Sequence, residues 1–458
     1  MSKFDPPRAD EASADSTEKG WQRSRVAPSL QDVYRTVPVG GAGVGFLRKL
    51  LAFAGPGYLV AVGYMDPGNW ATDLAGGSKF GFSLLSVVLV SNLMAVLLQG
   101  LASKLGIVTG RDLAQACRDH YSKPVSVALW VFCEIAIAAC DLAEVIGSAI
   151  ALNLLFHLPI AIGVFVTGLD VLLILALQNR GVRLLEALVV TLIATIGICF
   201  LFEIILSRPE MAGVLKGLIP TTDLITNHDK LYIAIGILGA TVMPHNLYLH
   251  SSIVQTRRYE ETAAGKKEAV RFAFLDSTIA LSFAFFVNAA ILIVAAATFH
   301  TSGHSEVAEI QDAYKLLTPL LGAGASTAFA LALLASGQNS TLTGTLAGQI
   351  VMEGFLNIRI RPWLRRLITR LIAIVPAAIV AIMYGDSGTA KLIIFSQVIL
   401  SLQLSFAVFP LVAFTSDRVK MGAFVNPTWL KLLAWSTAIV IAVLNAWLLV
   451  QTFHDWAA

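Results

Sequence analysis

Two short stretches of this sequence hold residues able to gather a cation. The first reads Gly63-Tyr64-Met65-Asp66-Pro67-Gly68-Asn69-Trp70 and the second Ala240-Thr241-Val242-Met243-Pro244-His245-Asn246. Both carry the pattern x-Pro-x-Asn inside an apolar segment. Proline has no N–H and clashes with the carbonyl four residues back. Pro67 therefore frees the carbonyl of Gly63, and Pro244 frees that of Ala240. Unpaired backbone at membrane depth is tolerated only where it lines a cavity or meets another partner. Two such oxygens facing each other are natural cation ligands. Asp66 adds a carboxylate, Asn69 an amide oxygen and Met243 a thioether. Oxygen ligands alone would suit sodium, calcium or magnesium. A soft thioether favours transition metals, and mixed oxygen and sulfur ligation suits divalent manganese or iron. A lone Met in a membrane helix is usually packing, but at the break and opposite Asp66 it reads as a ligand. His245 could bind metal as a neutral imidazole. Because it titrates near neutral pH, a proton-path or gating role is preferred, with a hydrogen-bonded packing residue as the plain alternative.

A second polar line follows on one helix. Glu134, Asp141 and Glu144 lie in an otherwise apolar segment. At about 100° per residue, positions 134 and 141 differ by only about 20° around a helix and 144 by about 80°. Carboxylates at that depth need cations, protons or water. Arg366 and Arg370, with Arg365 nearby, are the candidate partners. The line reads either as a proton path separate from the metal path or as a structural ion-pair network. Gln397 is a polar residue in an apolar stretch. It could complete the metal shell in one state of a transport cycle, or hydrogen-bond between helices. Asp170, Glu203, Asp276 and Asn288 receive no role. His300 and His304 fall in a solvated loop.

The elements that must position these residues are membrane spans. The chain has 458 residues, 56% hydrophobic and 14% charged, with mean hydropathy +0.73. An average soluble protein is about 25% charged, and 14 of the 63 charged side chains fall in the first 49 residues. That excludes an ordinary soluble enzyme, a nucleic-acid binder and a disordered protein. A spanning helix needs about 20 mostly apolar residues. Eleven candidates run near 51–76, 83–103, 124–152, 159–178, 185–206, 231–255, 272–299, 322–352, 365–384, 391–415 and 431–453. With the N-terminus cytoplasmic, 27 of the 33 Lys and Arg lie inside and 6 outside. That asymmetry predicts a cytoplasmic N-terminus and an outside C-terminus. The two x-Pro-x-Asn segments lie inside spans one and six, the first spans of two five-span units. Five spans is an odd number, so the second unit enters the membrane inverted. Paired interrupted helices in inverted repeats are a sequence pointer to a transporter binding site.

Residues 1–45 read as a largely disordered cytosolic tail, and 46–458 as one transmembrane domain. Repeat one covers about 51–206, repeat two about 231–415, and an extra helix about 431–453. Cys117, Cys133, Cys140 and Cys199 lack CxxC spacing and read as free thiols. No nucleotide-binding or hydrolase motif is present, so transport must be driven by an ion gradient.

Asp66-Pro67-Gly68-Asn69 and Met243-Pro244-His245-Asn246 resemble the two signature motifs of the Nramp family of divalent-metal transporters. Gly337-Gln338-Asn339-Ser340-Thr341-Leu342-Thr343-Gly344-Thr345-Leu346-Ala347-Gly348-Gln349 resembles a further motif of that family at span eight. The similarity runs from about residue 50 to 455. It implies an all-α polytopic fold of the leucine-transporter type, with helices one and six broken, and proton-coupled import of manganese and ferrous iron in the cell (inner) membrane. Cadmium, cobalt and zinc would be further cargo, and no resident cofactor is implied. Asp66, Asn69 and Met243 would bind metal through side chains, and Gly63 and Ala240 through carbonyls. Asp66, His245, Glu134, Asp141, Glu144, Arg366 and Arg370 would serve proton movement. The family often has Ala in place of Gly63, a change expected to matter little for a backbone ligand. Met243 argues against the magnesium-carrying relatives, which lack it. The runner-up reading is a sodium-coupled solute transporter on the same fold, a channel comes third, and an enzyme is the most remote. The oligomeric state is open.

Overall fold

The computed structural model describes residues 20–40, 43–169, 182–304, 307, 309–384 and 389–457. Over these residues the chain is a helical bundle with one short pair of parallel strands, Val37–Pro38 beside Arg257–Arg258. The helices of the first half are α1 (Phe46–Phe53), α2 (Pro56–Gly63), α3 (Pro67–Phe80), α4 (Leu85–Thr109), α5 (Leu113–His120), α6 (Lys123–Phe156), α7 (Ile160–Thr167) and α8 (Val182–Ser207). After α9 (Met211–Gly217) and α10 (Asp223–Thr226) come α11 (His228–Thr241), α12 (Pro244–Ile253), α13 (Ala263–Ala295), α14 (Ile310–Leu321), α15 (Ala323–Leu356), α16 (Pro362–Tyr384) and α17 (Thr389–Ser416). α18 (Arg418–Met421) and α19 (Thr428–Ala457) close the chain.

Both expected breaks are present. α2 ends at Gly63 and α3 begins at Pro67; α11 ends at Thr241 and α12 begins at Pro244. Each proline opens a new helix instead of kinking an old one, a place where its fixed φ and missing N–H cost nothing. Asp66 caps α3 by accepting the Asn69 N–H at 2.8 Å. The four half-helices thus bring two C-termini and two N-termini to the breaks.

Helix occurs in each of the eleven segments expected to span, the fourth being described only to residue 169. By length and composition, seven runs among the described residues can cross a membrane. An eighth is added if α1 and α2, bent by 48°, count as one. α15 is 34 residues long, but its apolar character is interrupted by Asn339, Ser340, Thr341, Thr343 and Thr345, all buried. That polar run faces protein, so hydropathy understates the helix.

α6 and α15 form the broadest seam of the bundle, and α13 packs along α2, α3 and α4. Close approach depends on small residues, as is usual where helices meet in lipid. Gly57 of α2 lies on the backbone of Ser277 in α13, and Gly106 of α4 on the Ser251 carbonyl of α12. Residues 20–40 depart from the expected disordered tail. Trp21, Leu30, Val37 and Val39 are buried against one end of the bundle.

A Cβ at position 106 would stand 2.1 Å from the Ser251 oxygen. Gly106→Ala is expected to cost about 1–3 kcal/mol through forced overpacking, read as earlier thermal unfolding in detergent. Gly197→Ala on α8, where nothing lies within 4 Å of the added carbon, should stay near wild type. Equal behaviour of the two would remove close packing as the cause.

Candidate metal-binding site

Three of the oxygens expected to hold a cation converge on one atom. Asn69 Nδ2 donates to Asp66 Oδ1 at 2.7 Å, to the Ala240 carbonyl at 3.1 Å and to the Gly63 carbonyl at 3.3 Å. The carbonyls come from the C-terminal ends of α2 and α11, where helix dipoles place partial negative charge. Asp66 and Asn69 come from the start of α3. All four residues are buried. Asn69 therefore presents its amide nitrogen to this point, while its Oδ1 accepts from Asn288 Nδ2 at 3.2 Å. Asn288 Nδ2 also donates to the Tyr64 carbonyl at 2.7 Å.

Met243 is buried beside Cys140, Ala136, Ala139 and Leu400. Its sulfur lies 3.2 Å from the place a Cβ on Gly63 would take, so the thioether does reach the first break. The same place is 2.2 Å from Asn246 Nδ2. Gly63 is thus more than a carbonyl carrier, because the missing methyl makes room for the Asn246 carboxamide. Gln397 is fully buried and its carboxamide lies over Gly68, 2.0 Å from where a Cβ would stand. It donates to Ser396 Oγ at 3.0 Å, and its Oε1 has no hydrogen-bond partner. Gln397 thus sits on the first turn of α3 beside the convergent oxygens. His245 is buried on the first turn of α12 with Nδ1 unpartnered.

The second polar line divides in two. Glu134 is only partly buried. Arg365 Nη2 donates to both of its oxygens at 3.0 Å, and Trp130 Nε1 donates at 3.0 Å. Arg365 lies across Gly348 of α15, 1.8 Å from where a Cβ would stand. The side chains of Arg366 and Arg370 fall outside the described residues. Deeper in, Glu144 accepts from Ser340 Oγ at 2.8 Å and from Thr341 Oγ1 at 3.2 Å. Asp141 and Glu144 both approach Gly344. The span-eight motif is thus the surface on which the span-three carboxylates rest.

Cys140 joins the two groups. Its Sγ lies 4.0 Å from Asp66 Oδ2 and 3.7 Å from Glu144 Oε1. Neither Cys140 nor Asn288 was picked out by the sequence reading. Cys140 stands one turn before Glu144 on the same face, which is a usable signal. Asn288 shows only as a polar residue in an apolar helix. Among the described residues no three His, Cys, Asp or Glu side chains form a metal cage. The convergence instead relies on one carboxylate with neutral backbone oxygens.

Two broken helices that meet at a shared polar centre, inside a multi-pass apolar bundle, define a membrane transporter and not an enzyme. The sequence model of the family "natural resistance-associated macrophage protein-like" matches residues 57–451, and the chain belongs to that family. A divalent metal cation transporter MntH from Nostoc sp. is 65% identical over 430 residues, covering 94% of this chain and 97% of that protein. Another from Listeria monocytogenes is 63% identical over 437 residues, covering 95% and 97%. The crystal structure of a manganese transporter from Eremococcus coleocola has a TM-score of 0.85 at 46% identity, covering 91% of this chain and 90% of that one. Mhp1, a nucleobase-cation-symport-1 family transporter, has a TM-score of 0.54 at 15% identity, covering 86% and 92%, a likeness of fold alone. The fold is the leucine-transporter type that the family resemblance implied.

Gly63→Ala should destabilise the protein by about 1–3 kcal/mol because the methyl and the Asn246 carboxamide compete for one space. Adding Asn246→Ala should recover much of that loss in a double-mutant cycle. Additive losses in chemical or thermal unfolding would mean that the two positions do not share the space.

Proposed function

We propose that this chain imports divalent transition metals, manganese and ferrous iron, together with protons by alternating access across the cell membrane. The carrying observation is the convergence of Asp66 Oδ1 and the Gly63 and Ala240 carbonyls on one atom, with the Met243 sulfur beside Gly63. An amide N–H group answers those acceptors in this conformation. A divalent cation arriving there takes over the same oxygens, which replace part of its hydration shell. Asn69 then turns its carboxamide to offer Oδ1, releasing Asn288. Gln397, with an oxygen unpartnered against Gly68, stands ready as a further ligand. Sulfur adds little for calcium or magnesium and more for manganese or iron. The names of the relatives, divalent metal cation transporters and a manganese transporter, agree with this cargo.

Proton movement follows from the second polar line. Metal binding at Asp66 favours its ionised form, so a proton bound there must leave. Cys140 lies between Asp66 and Glu144 and bridges the step from the metal centre to the α6–α15 seam. Glu144, Asp141 and then Glu134 with Arg365 continue the line along α6. His245 borders the metal centre on α12 and is assigned to gating or proton passage. The charge asymmetry of the sequence supports a cytoplasmic N-terminus and an outside C-terminus. The rival, a sodium-coupled solute carrier on the same fold, would place half-helix N-termini around a substrate carboxylate. An aspartate capping α3 at that place disfavours an anion.

In proteoliposomes, manganese uptake driven by an inward proton gradient should persist under excess calcium and acidify the lumen. Asp66→Ala should abolish it, and Met243→Ala should keep manganese uptake while letting calcium compete. Near-normal uptake by Asp66→Ala would place the site elsewhere. Solute accumulation driven by sodium, without manganese uptake, would establish the rival.

A further inference from the structure

Residues 20–40 cross one end of the bundle and touch elements from both repeats. Trp21 is boxed at that end. Its ring is 5.5 Å from Phe414 of α17 and 6.5 Å from His120 of α5, with the Arg111 guanidinium at 4.9 Å and the Lys420 ammonium at 5.2 Å. Cations over an indole face are favourable, and more so where water is excluded. The Gln22 N–H and the Arg23 N–H both donate to the Asp119 carbonyl, at 2.8 and 3.2 Å. Ser29 Oγ donates to Asp112 Oδ2 at 2.7 Å, and the Leu30 N–H donates to Glu353 Oε2 of α15 at 3.1 Å. Further on, the Arg35 N–H donates to the Gln255 carbonyl at 3.0 Å. Val37 and Pro38 then pair as a strand with Arg257 and Arg258, just past the end of α12.

This path ties together parts that a transport cycle has to separate. One attachment is at the end of α12, the half of the second broken helix that follows Pro244. The others are the α4–α5 connection, the end of α15 and the end of α17. α12 packs against α15 and α17, and its Tyr248 ring meets Phe355 of α15 at 5.6 Å. α12 runs from the break at Pro244 to this end of the bundle, so any opening from the metal centre toward this end has to pass along it. While the segment is docked, α12 cannot draw away from α15 without breaking the strand pair, the Glu353 bond or the Trp21 box.

We propose that residues 20–40 are a strap that holds this end of the transporter shut, and that undocking of Trp21 is a step in opening it. The proposal rests on the transport reading for why this end must open. The bonds that hold it do not depend on metal. A strap that binds only the closed arrangement shifts the equilibrium by its differential affinity for the two states. Loss of the box should therefore favour opening while leaving the metal ligands intact.

The test is hydrogen–deuterium exchange of the full chain in lipid nanodiscs without metal, comparing wild type, Trp21→Ala and Ser29→Ala. Residues 244–256 of α12 and its end should exchange about fivefold faster in Trp21→Ala, with a smaller rise in Ser29→Ala. α3, α6 and α13 should keep wild-type protection, and manganese affinity by calorimetry should stay unchanged. Unchanged protection of α12 in both variants would overturn the strap, as would a rise shared equally by all spans. Failure of the metal reading registers separately, as manganese binding that survives Asp66→Ala.

Discussion

Two carbonyls without helical partners, deep in an apolar bundle, are the constraint around which this structure is arranged. In lipid a backbone acceptor left alone is costly, and here two face one another across the breaks. A single amide group answers both and the Asp66 carboxylate as well. That arrangement fixes the distance between the halves of the two broken helices. It also explains why the surrounding positions are small or polar. Gly63 admits Asn246, and Gly68 admits Gln397.

The seam between α6 and α15 obeys a related rule. Carboxylates buried between helices must be hydrogen-bonded or charge-paired. α15 supplies hydroxyls at Ser340 and Thr341 for Glu144, and α16 supplies Arg365 for Glu134. The cost of satisfying these groups falls on hydropathy, which Ser and Thr lower along α15, although the segment 322–352 still reads as a candidate span. The seam thus carries two polar groups, one running from Asp66 through Cys140 to Glu144 and the other formed by Glu134 with Arg365. In the proposed function, metal ligation and proton passage would therefore meet Asp66 on separate surfaces. Oδ1 meets Asn69 and Oδ2 meets Cys140.

The breaks were legible in the sequence because a proline acts on its own helix, four residues back, with no help from the rest of the fold. Repetition of x-Pro-x-Asn five spans apart then supplied the topology. The partners of the central residues were not legible, because they arrive from elsewhere in three dimensions. Asn288 reaches Asn69 from α13, and nothing in its neighbourhood in sequence marks it. Glu134 pairs with Arg365, which the sequence placed only near the candidate partners Arg366 and Arg370, whose side chains lie outside the described residues. Residues 20–40 read as disorder for a similar reason. Trp21 and Leu30 follow no helical or strand period, Val37 and Val39 alternate over too few residues to mark a strand, and each finds its place only against a bundle already formed. Gly63 is the converse case. Its carbonyl was legible as a ligand, but the space that its absent side chain leaves for the Asn246 carboxamide was not.

The guanidinium of Arg365 lies where any side chain at position 348 would have to stand. The two positions are therefore one unit of inheritance. A lineage that gains a larger residue on α15 at this turn must at the same time give up or re-route the arginine on α16, and with it the counter-charge of Glu134. Across relatives, changes at these three places should travel together, so an isolated substitution at 348 marks a transporter whose carboxylate at 134 has found another partner or has itself been lost.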